Sequence, residues 1–107
     1  MKPLEFSILL VLAEGPEYGY GIVKRIAEAG AGGIRLAPSN LYYVLDRMLG
    51  AGLVAEAAAP AERAGGAGRQ YYGITAEGRR ALAAEAARLA RLVERAERLA
   101  VLPRGEA

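Results

Sequence analysis

The stretch PSNLYYVLDRMLGAGLV, residues 38–54, has the pattern that decides the fold. Its large apolar residues recur at helical spacing, which predicts a helix with one buried face. Gly50 and Gly52 then stop this helix, and Leu53 and Val54 begin an extended run. The residues of the apolar stripe are Leu41, Leu45, Met48 and Leu49.

Polar side chains fall largely off the apolar stripe of the same helix. They supply a hydroxyl, a carboxamide, a phenol and a guanidinium, which are groups that reach phosphates and base edges in a DNA groove. The order of helix, glycine stop and strand resembles the recognition helix and first wing strand of a winged helix-turn-helix. We expect this helix to contact DNA, and a surface ion pair is the alternative for Arg47. The polar residues are Ser39, Asn40, Tyr43 and Arg47.

Length and composition narrow the classes of function. A chain of 107 residues forms one domain, or one domain with a long appended helix. It contains no cysteine and no histidine, which excludes disulfides, zinc fingers, thiolate chemistry and imidazole catalysis. Carboxylates are scattered, so we predict no metal site, no cofactor and no enzymatic activity. No apolar run reaches the ~18 residues of a transmembrane helix, and we expect a cytoplasmic protein.

The net charge of +2 is weak support for nucleic-acid binding. Over residues 1–74, seven basic and seven acidic residues cancel. The placement of the charges, and not their sum, must therefore identify a DNA-binding surface.

Two helices are predicted before the stretch described above. Residues 4–13 are almost continuously apolar, so this helix should be buried on most sides, either in its own core or partly against a second subunit. Residues 18–29 form a second helix with Lys24 and Arg25 turned outward. Residues 34–36 are expected to form a short strand.

A wing is predicted after Val54. Residues 55–68 are rich in small residues and read as an exposed loop, and residues 69–74 (RQYYGI) form the returning strand. Tyr71 and Tyr72 should point to opposite faces, one inward and one accessible. The predicted fold is α+β and mostly helical, a winged helix-turn-helix over residues 1–74.

Residues 75–107 are predicted to form a long C-terminal dimerisation helix. Thr75 is a favourable N-cap, and helix-forming residues continue to Leu102, a length of ~42 Å at 1.5 Å per residue. Its heptad-like apolar stripe needs a partner, which is a second copy or, alternatively, its own domain. The expected dimer-interface residues are Leu4, Ile8, Leu82, Leu89, Leu92, Val93, Ala96 and Leu99.

With these elements in place, the chain resembles the PadR family of bacterial transcription regulators. The resemblance covers nearly the whole chain and rests on three segments: LLVLAEGPEYGYGIVKRI (9–26), LAPSNLYYVLDRMLGAGLV (36–54) and GRQYYGITAEGRRAL (68–82). A single helix after the wing is similar to the short class of that family. The resemblance implies dimerisation through the C-terminal helix, packed near the partner's first helix.

The resemblance also implies roles for individual residues. Tyr20 matches the tyrosine of a glycine-tyrosine pair that faces the DNA backbone. Ser39 and Asn40 match the start of the recognition helix, and Tyr42 matches its leucine-tyrosine pair. Arg69 and Tyr71 match the base of the second wing strand.

Several positions depart from the family pattern. Tyr18 stands where the family often has histidine, Gly21 where it often has a polar residue, and Gly73 where a long polar residue is common. Arg63 is the one basic residue of the wing before Arg69. The chain has no tryptophan, so it lacks the indoles between which multidrug-binding members hold their ligands.

These observations together predict a homodimeric regulator, most simply a repressor, that binds double-stranded DNA at an inverted-repeat operator. A small aromatic ligand could release the DNA by binding in a cleft walled by residues such as Phe6, Leu10 and Val93. Alternatively, the alanines of this region simply allow close helix packing. A second alternative is a winged protein-interaction module that does not bind DNA. The expected DNA-contacting residues are Tyr20, Lys24, Arg25, Ser39, Asn40, Tyr42, Tyr43, Arg47, Arg63 and Arg69.

Overall fold

A computed structural model describes residues 1–29, 38–61 and 69–101, without the side chains of residues 38 and 39. The strand expected at residues 34–36 and the roles expected for the side chains of Ser39 and Arg63 lie outside the described residues. Within them, four helices and three short strands follow one another. Their bounds are α1 Pro3–Ala13, β1 Glu17–Tyr18, α2 Gly19–Glu28, α3 Pro38–Gly50, β2 Val54–Ala57, β3 Tyr71–Ile74 and α4 Ala76–Arg98.

The core lies where α1, α2 and α3 meet the inner face of the sheet. The predicted stripe of α3 is buried there: Leu41, Leu45 and Met48 are at most 1% exposed, and Leu49 packs against them. The α3 helix runs to Gly50, and Gly52 takes a φ of +77°, a left-handed conformation that glycine adopts without strain. The other buried residues of the core are Ile8, Leu9, Val11, Leu12, Ile22, Ile26, Val54 and Tyr72.

The sheet is antiparallel, with strand order β1-β3-β2. The β2–β3 pair is the predicted wing, and Val54 stands opposite Ile74. The β1 strand was not predicted, because two residues give no alternating pattern. Its strand character comes from pairing with β3, which places Tyr18 opposite Tyr71 across more than fifty residues of sequence.

The expectation that one of the two β3 tyrosines stays accessible is wrong. Tyr72 faces the core and is 8% exposed, and Tyr71 on the other face is 2% exposed. The ring of Tyr18 covers Tyr71, with 5.5 Å between the two ring centroids. Both faces of β3 are therefore buried at this point.

The α4 helix begins as predicted and ends earlier. The Thr75 Oγ1 accepts a hydrogen bond from the Gly78 N–H at 2.9 Å, which caps the first turn. The helix ends at Arg98 and is ~35 Å long at 1.5 Å per residue, since Ala100 leaves the helix with a φ of +59°. The predicted i,i+4 pair of Glu94 and Arg98 is formed at 2.9 Å.

The first half of α4 packs beside α1, and its second half extends away from the core. The molecule measures 51 Å along its longest axis and 26 Å along each of the other two. Leu92 and Val93 are about half exposed, at 48% and 47%, while Leu82 is partly buried against the core. No helix in the described ranges is long and apolar enough to span a membrane.

Candidate nucleic-acid interface

The exposed side of α3 carries three of the polar side chains that the sequence assigns to DNA. Asn40, Tyr43 and Arg47 are all exposed, and Tyr43 reaches 62%. Spacings of three and four residues place them on one side of the helix. In residues 1–29, 38–61 and 69–101, no carboxylate forms an ion pair with Arg47, so the alternative considered for it is not observed there.

A groove beside this face brings the start of α1 next to α3. Lys2 at its rim is exposed, and the Lys2 backbone N–H donates a hydrogen bond to Glu5 Oε1 at 2.9 Å. Lys2 was not predicted at this surface, because no local pattern relates the start of α1 to a helix more than thirty residues later. The lining residues are Lys2, Pro3, Leu4, Glu5, Asn40, Tyr43, Val44 and Arg47.

Tyr42 lies on another side of α3 and reaches the start of α2. A Cβ added at Gly19 would collide with the Tyr42 hydroxyl and lie 2.6 Å from Tyr42 Cζ, so the Tyr42 ring lies directly against the backbone of α2 and a larger residue at position 19 would displace it. Burial raises the pKa of the Tyr72 hydroxyl above its ordinary value of 10.0, and the nearby Tyr42, Asp46 and Glu56 raise it further. Tyr42 is 47% exposed and therefore both supports α2 and remains open to solvent.

The start of α2 presents two more of the expected residues. Tyr20 is 61% exposed, and Lys24 follows one turn later on the same side and is also exposed. In the part of the chain that the structure describes, no carboxylate forms an ion pair with Lys24. Tyr18 is the N-cap of α2 and makes no side-chain cap hydrogen bond to the first-turn N–H groups.

Arg25 lies differently from the position expected for a phosphate contact. Its Nε lies 3.0 Å from Glu17 Oε1, and one of its terminal nitrogens lies 3.3 Å from Glu14 Oε1. Glu17 is 1% exposed, and a buried carboxylate requires a cationic partner. The guanidinium of Arg25 therefore holds β1 and the turn before it against α2. The proposed DNA-contacting surface does not include Arg25.

Arg69 stands at the base of the wing, immediately before β3. Its guanidinium carbon lies 4.5 Å from the centroid of the Tyr18 ring. The Tyr18 ring lies 5.5 Å from the ring of Tyr71 and 6.5 Å from that of Tyr20. These contacts bring the returning strand of the wing to the start of α2. Tyr18 was not predicted to belong to this surface.

Comparisons with known proteins agree with this geometry. Residues 8–84, well over half of the chain, match the Transcriptional regulator PadR-like family. The chain belongs to this family. No curated protein matches it. In the described residues, no group of three or more carboxylates is placed to hold a metal ion.

Solved structures of PadR-family regulators share the fold. A regulator from Clostridium difficile superposes with a TM-score of 0.77 at 23% identity, over 92% of this chain and 98% of that one. A regulator from Eggerthella lenta is 33% identical, with a TM-score of 0.65 over 86% and 79% of the two chains. Bacillus subtilis PadR, solved with operator DNA, has a TM-score of 0.62 at 22% identity, over 76% of this chain and 45% of that one.

The residues expected at a PadR-type dimer interface divide into two groups. Ile8 is 0% exposed and is enclosed by its own chain, so it has no surface to offer a partner and is a correction to the expected interface. Leu4 and Leu82 pack against the same core and are only partly accessible. The remaining expected residues lie on α4 or, for Leu99, directly after it, and they are partly buried or exposed: Leu89, Leu92, Val93, Ala96 and Leu99.

A groove of this PadR-like chain lies between α1 and α2. Its volume is about 930 Å³, and Leu10, Val11 and Ile26 form its apolar part. Glu14 and Arg25 line its edge. Of the residues expected to wall an effector cleft, Leu10 lines this groove, and Leu10 is also 47% exposed.

Proposed function

We propose that this PadR-like regulator binds double-stranded DNA through α3, the start of α2 and the base of the wing. The observation that carries the proposal is the division of α3 into a buried apolar face and an exposed face with Asn40, Tyr43 and Arg47. Its fold is shared with a PadR protein that was solved bound to operator DNA. An exposed polar helix face on a winged helix-turn-helix suits insertion in a major groove.

The proposed contacts separate into two kinds. Arg47, Lys24 and Arg69 bind phosphates, because each is exposed and lacks a carboxylate partner within the described residues. Lys2 joins them through the groove that it shares with α3. Base edges or sugars are assigned to Ser39, Asn40 and Tyr43, and the sugar–phosphate backbone to Tyr20, Tyr42 and Arg63.

A homodimer is proposed through the second half of α4. Leu92, Val93 and Leu99 are 48%, 47% and 63% exposed, and an apolar stripe of this kind is stabilised by burial against another helix. We therefore divide the chain into a DNA-binding unit, residues 1–74, and a dimerisation helix, residues 75–107. Two copies would present their α3 helices to successive major grooves, roughly 34 Å apart, at an inverted repeat.

Repression is the proposed outcome of operator binding, and as a regulator of bacterial genes the protein would act in the cytoplasm. A small aromatic ligand would release the DNA if it bound more tightly to a dimer whose α3 helices no longer match the grooves. The candidate cleft lies between α1 and the partner's α4, next to Phe6 and Leu10. The test is whether phenolic or cationic aromatic compounds lower operator affinity.

The second candidate function is a winged protein-interaction module that uses Tyr43 and Arg47 on a partner protein. The exposure of Tyr43 is compatible with it, since aromatic side chains are enriched at protein interfaces. DNA binding separates the two functions, because a protein-interaction module shows no sequence-selective, salt-dependent affinity for DNA.

The decisive experiment measures fluorescence anisotropy with the duplex upstream of the protein's own gene and a scrambled duplex, over a range of salt concentrations. Arg47→Ala should weaken binding to both duplexes and reduce the salt slope by about one unit, the value for one lost phosphate contact. Arg80→Ala is the matched control, since Arg80 is exposed on α4 and paired with Glu77 at 2.6 Å. An unchanged slope for Arg47→Ala would refute its assignment, and equal, salt-insensitive binding to both duplexes would refute the proposed function.

A further inference from the structure

Arg69 differs from Lys24 and Arg47, two other described cations of the proposed DNA-binding surface, because its guanidinium lies over an aromatic ring. Its guanidinium carbon lies 4.5 Å from the centroid of the Tyr18 ring, within the range of a cation–π interaction. Neither Lys24 nor Arg47 lies over an aromatic ring within the described part of the chain. Tyr18 stands where the family often has histidine.

The Tyr18 ring is itself fixed by its neighbours. Pairing of β1 with β3 sets Tyr18 directly opposite Tyr71, and their ring centroids lie 5.5 Å apart at an interplanar angle of 54°. Tyr71 is 2% exposed, so it forms a rigid backing for the Tyr18 ring. Tyr20 lies on another side, at 6.5 Å. The ring is thus a fixed support for the guanidinium of Arg69, which ends a long side chain with several rotatable bonds.

Stacking leaves the charge of Arg69 available to a ligand. A guanidinium that stacks on a ring uses its face, and its N–H groups point outward in the plane, where they can donate two parallel hydrogen bonds to a phosphate. Arg25 shows the opposite case, since Glu14 and Glu17 occupy its N–H groups. No carboxylate within the described ranges forms an ion pair with Arg69.

The position of the stacked pair also suits DNA. Tyr18 immediately precedes α2, so its contact with Arg69 places the Arg69 guanidinium near the first turn of that helix. The N–H groups of that turn receive no side-chain cap from Tyr18, and Lys24 is exposed one turn further on. A phosphate bound by Arg69 would therefore lie at a positively polarised helix start.

We propose that Tyr18 is a positioning residue for DNA binding: its ring holds the Arg69 guanidinium in the orientation that contacts a phosphate at the base of the wing. This inference rests on the proposed DNA-binding function. Holding the side chain in place before binding reduces the conformational entropy that is lost when the complex forms. Removal of the ring should therefore weaken DNA binding about two- to fivefold, within the cost of ordering one long side chain when a complex forms.

A double-mutant cycle tests the proposal, with the same upstream duplex and salt series for every protein. Arg69→Ala should lower the salt slope by about one unit, as one lost phosphate contact does. Tyr18→Leu should weaken binding about two- to fivefold in the parent and have no effect in the Arg69→Ala background. Tyr18→Phe keeps the ring and should bind DNA as the parent does.

Arg69→Lys provides a second measurement that leaves β1 untouched. Lysine keeps the charge but lacks the planar group that stacks, so this variant should retain most of the salt slope, bind about as weakly as Tyr18→Leu, and be insensitive to Tyr18→Leu. Thermal unfolding at one protein concentration verifies that each variant is folded.

The outcomes are distinguishable. If the effects of Tyr18→Leu and Arg69→Ala multiply, the two residues act independently and the positioning role is refuted. If Tyr18→Phe binds as weakly as Tyr18→Leu, the hydroxyl and not the ring is responsible, which also refutes it. If the parent protein shows no salt-dependent DNA binding, the proposed function and this inference fail together, whereas a normal Arg47→Ala effect with an additive cycle overturns the inference alone.

Discussion

Replacement of Gly78 by alanine should destabilise the protein, although the same change inside an exposed helix stabilises it. Gly78 is a buried residue in the first turn of α4. A Cβ built on it would collide with the Leu53 carbonyl oxygen, and it would lie 3.1 Å from Leu53 C and 2.9 Å from Ile74 Cγ1. The start of α4 therefore crosses the turn after α3 at a distance that only glycine permits.

The Leu53 carbonyl has little freedom to move away from the added methyl group. It accepts a hydrogen bond from the Thr75 backbone N–H at 3.1 Å and lies 3.0 Å from Thr75 Oγ1, whose single proton it shares with the Gly52 carbonyl oxygen at 2.6 Å. A shift that relieves the collision would strain both bonds and the N-cap of α4, because Thr75 Oγ1 also accepts from the Gly78 N–H. The collision involves backbone and not the flexible end of a side chain, so the cost is substantial.

The magnitude follows from three contributions. Overpacking costs about 1–3 kcal/mol, and a strained or lost hydrogen bond adds about 1 kcal/mol. The higher helix propensity of alanine offsets about 1 kcal/mol of this. Gly78→Ala should therefore lower the free energy of unfolding by about 1–3 kcal/mol, and Tm should fall by about 4–8 °C for each kcal/mol.

Gly50→Ala is the matched control. Gly50 is the last residue of α3, its φ is not positive, and no heavy atom lies within 4 Å of an added Cβ. This variant should raise the free energy of unfolding by up to about 1 kcal/mol. Urea and thermal unfolding are measured at equal protein concentration, because association would shift the apparent Tm. A Gly78→Ala protein as stable as the parent would show that the close approach of α4 to Leu53 is wrong.

Three further perturbations test the dimer and the two buried tyrosines. Leu92→Glu puts a charge in the exposed apolar stripe of α4 and should convert a dimer to a monomer in sedimentation velocity. Ala87→Glu, exposed on the opposite side of the helix, should leave the dimer intact, and equal effects of the two changes would argue against the proposed interface. Tyr71→Phe removes a buried hydroxyl that has no hydrogen-bond partner among the described residues. Urea unfolding should therefore show unchanged stability or a gain of up to about 1 kcal/mol. A clear loss of stability would reveal a hydrogen-bond partner of the Tyr71 hydroxyl. Burial raises the pKa of Tyr72, so its stabilising contribution is present below the unfolded pKa of 10.0 and is lost as the pH rises towards the folded pKa. Tyr72→Phe should therefore reduce the loss of stability between about pH 9 and about pH 11. An unchanged alkaline stability profile would contradict the raised pKa.

Local patterns predicted the helices because their causes are local. Spacing of apolar residues depends only on the helical period, so the buried face of α3 was correctly assigned to Leu41, Leu45 and Met48. The Thr75 cap was predicted for the same reason, since an N-cap acts within three residues. The end of α4 was placed too late, at Leu102 and not at Arg98, because alanine, leucine, arginine and glutamate give no signal that the helix stops.

Side-chain partners distant in sequence escaped prediction. Arg25 has the exposure pattern of a DNA contact, and only the structure reveals that the buried carboxylate of Glu17 occupies it. Ile8 is an apolar residue of the kind found in dimer interfaces, and only the tertiary structure shows that its own chain encloses it completely. Lys2 joins the proposed site solely because α1 folds against the start of α3.

The amino-acid sequence by itself determined the order of helices and wing strands and which face of α3 turns inward. Those properties follow from residue periodicity, capping and turn chemistry, which act over a few residues. The family was indicated by the resemblance of residues 9–26, 36–54 and 68–82 to known regulators. Tertiary structure alone decided that Tyr18 lies in a strand, beneath Arg69 and against Tyr71. The physical reason is that a two-residue strand, a stacked cation and a buried ion pair exist only once distant segments have been brought within a few ångströms of one another.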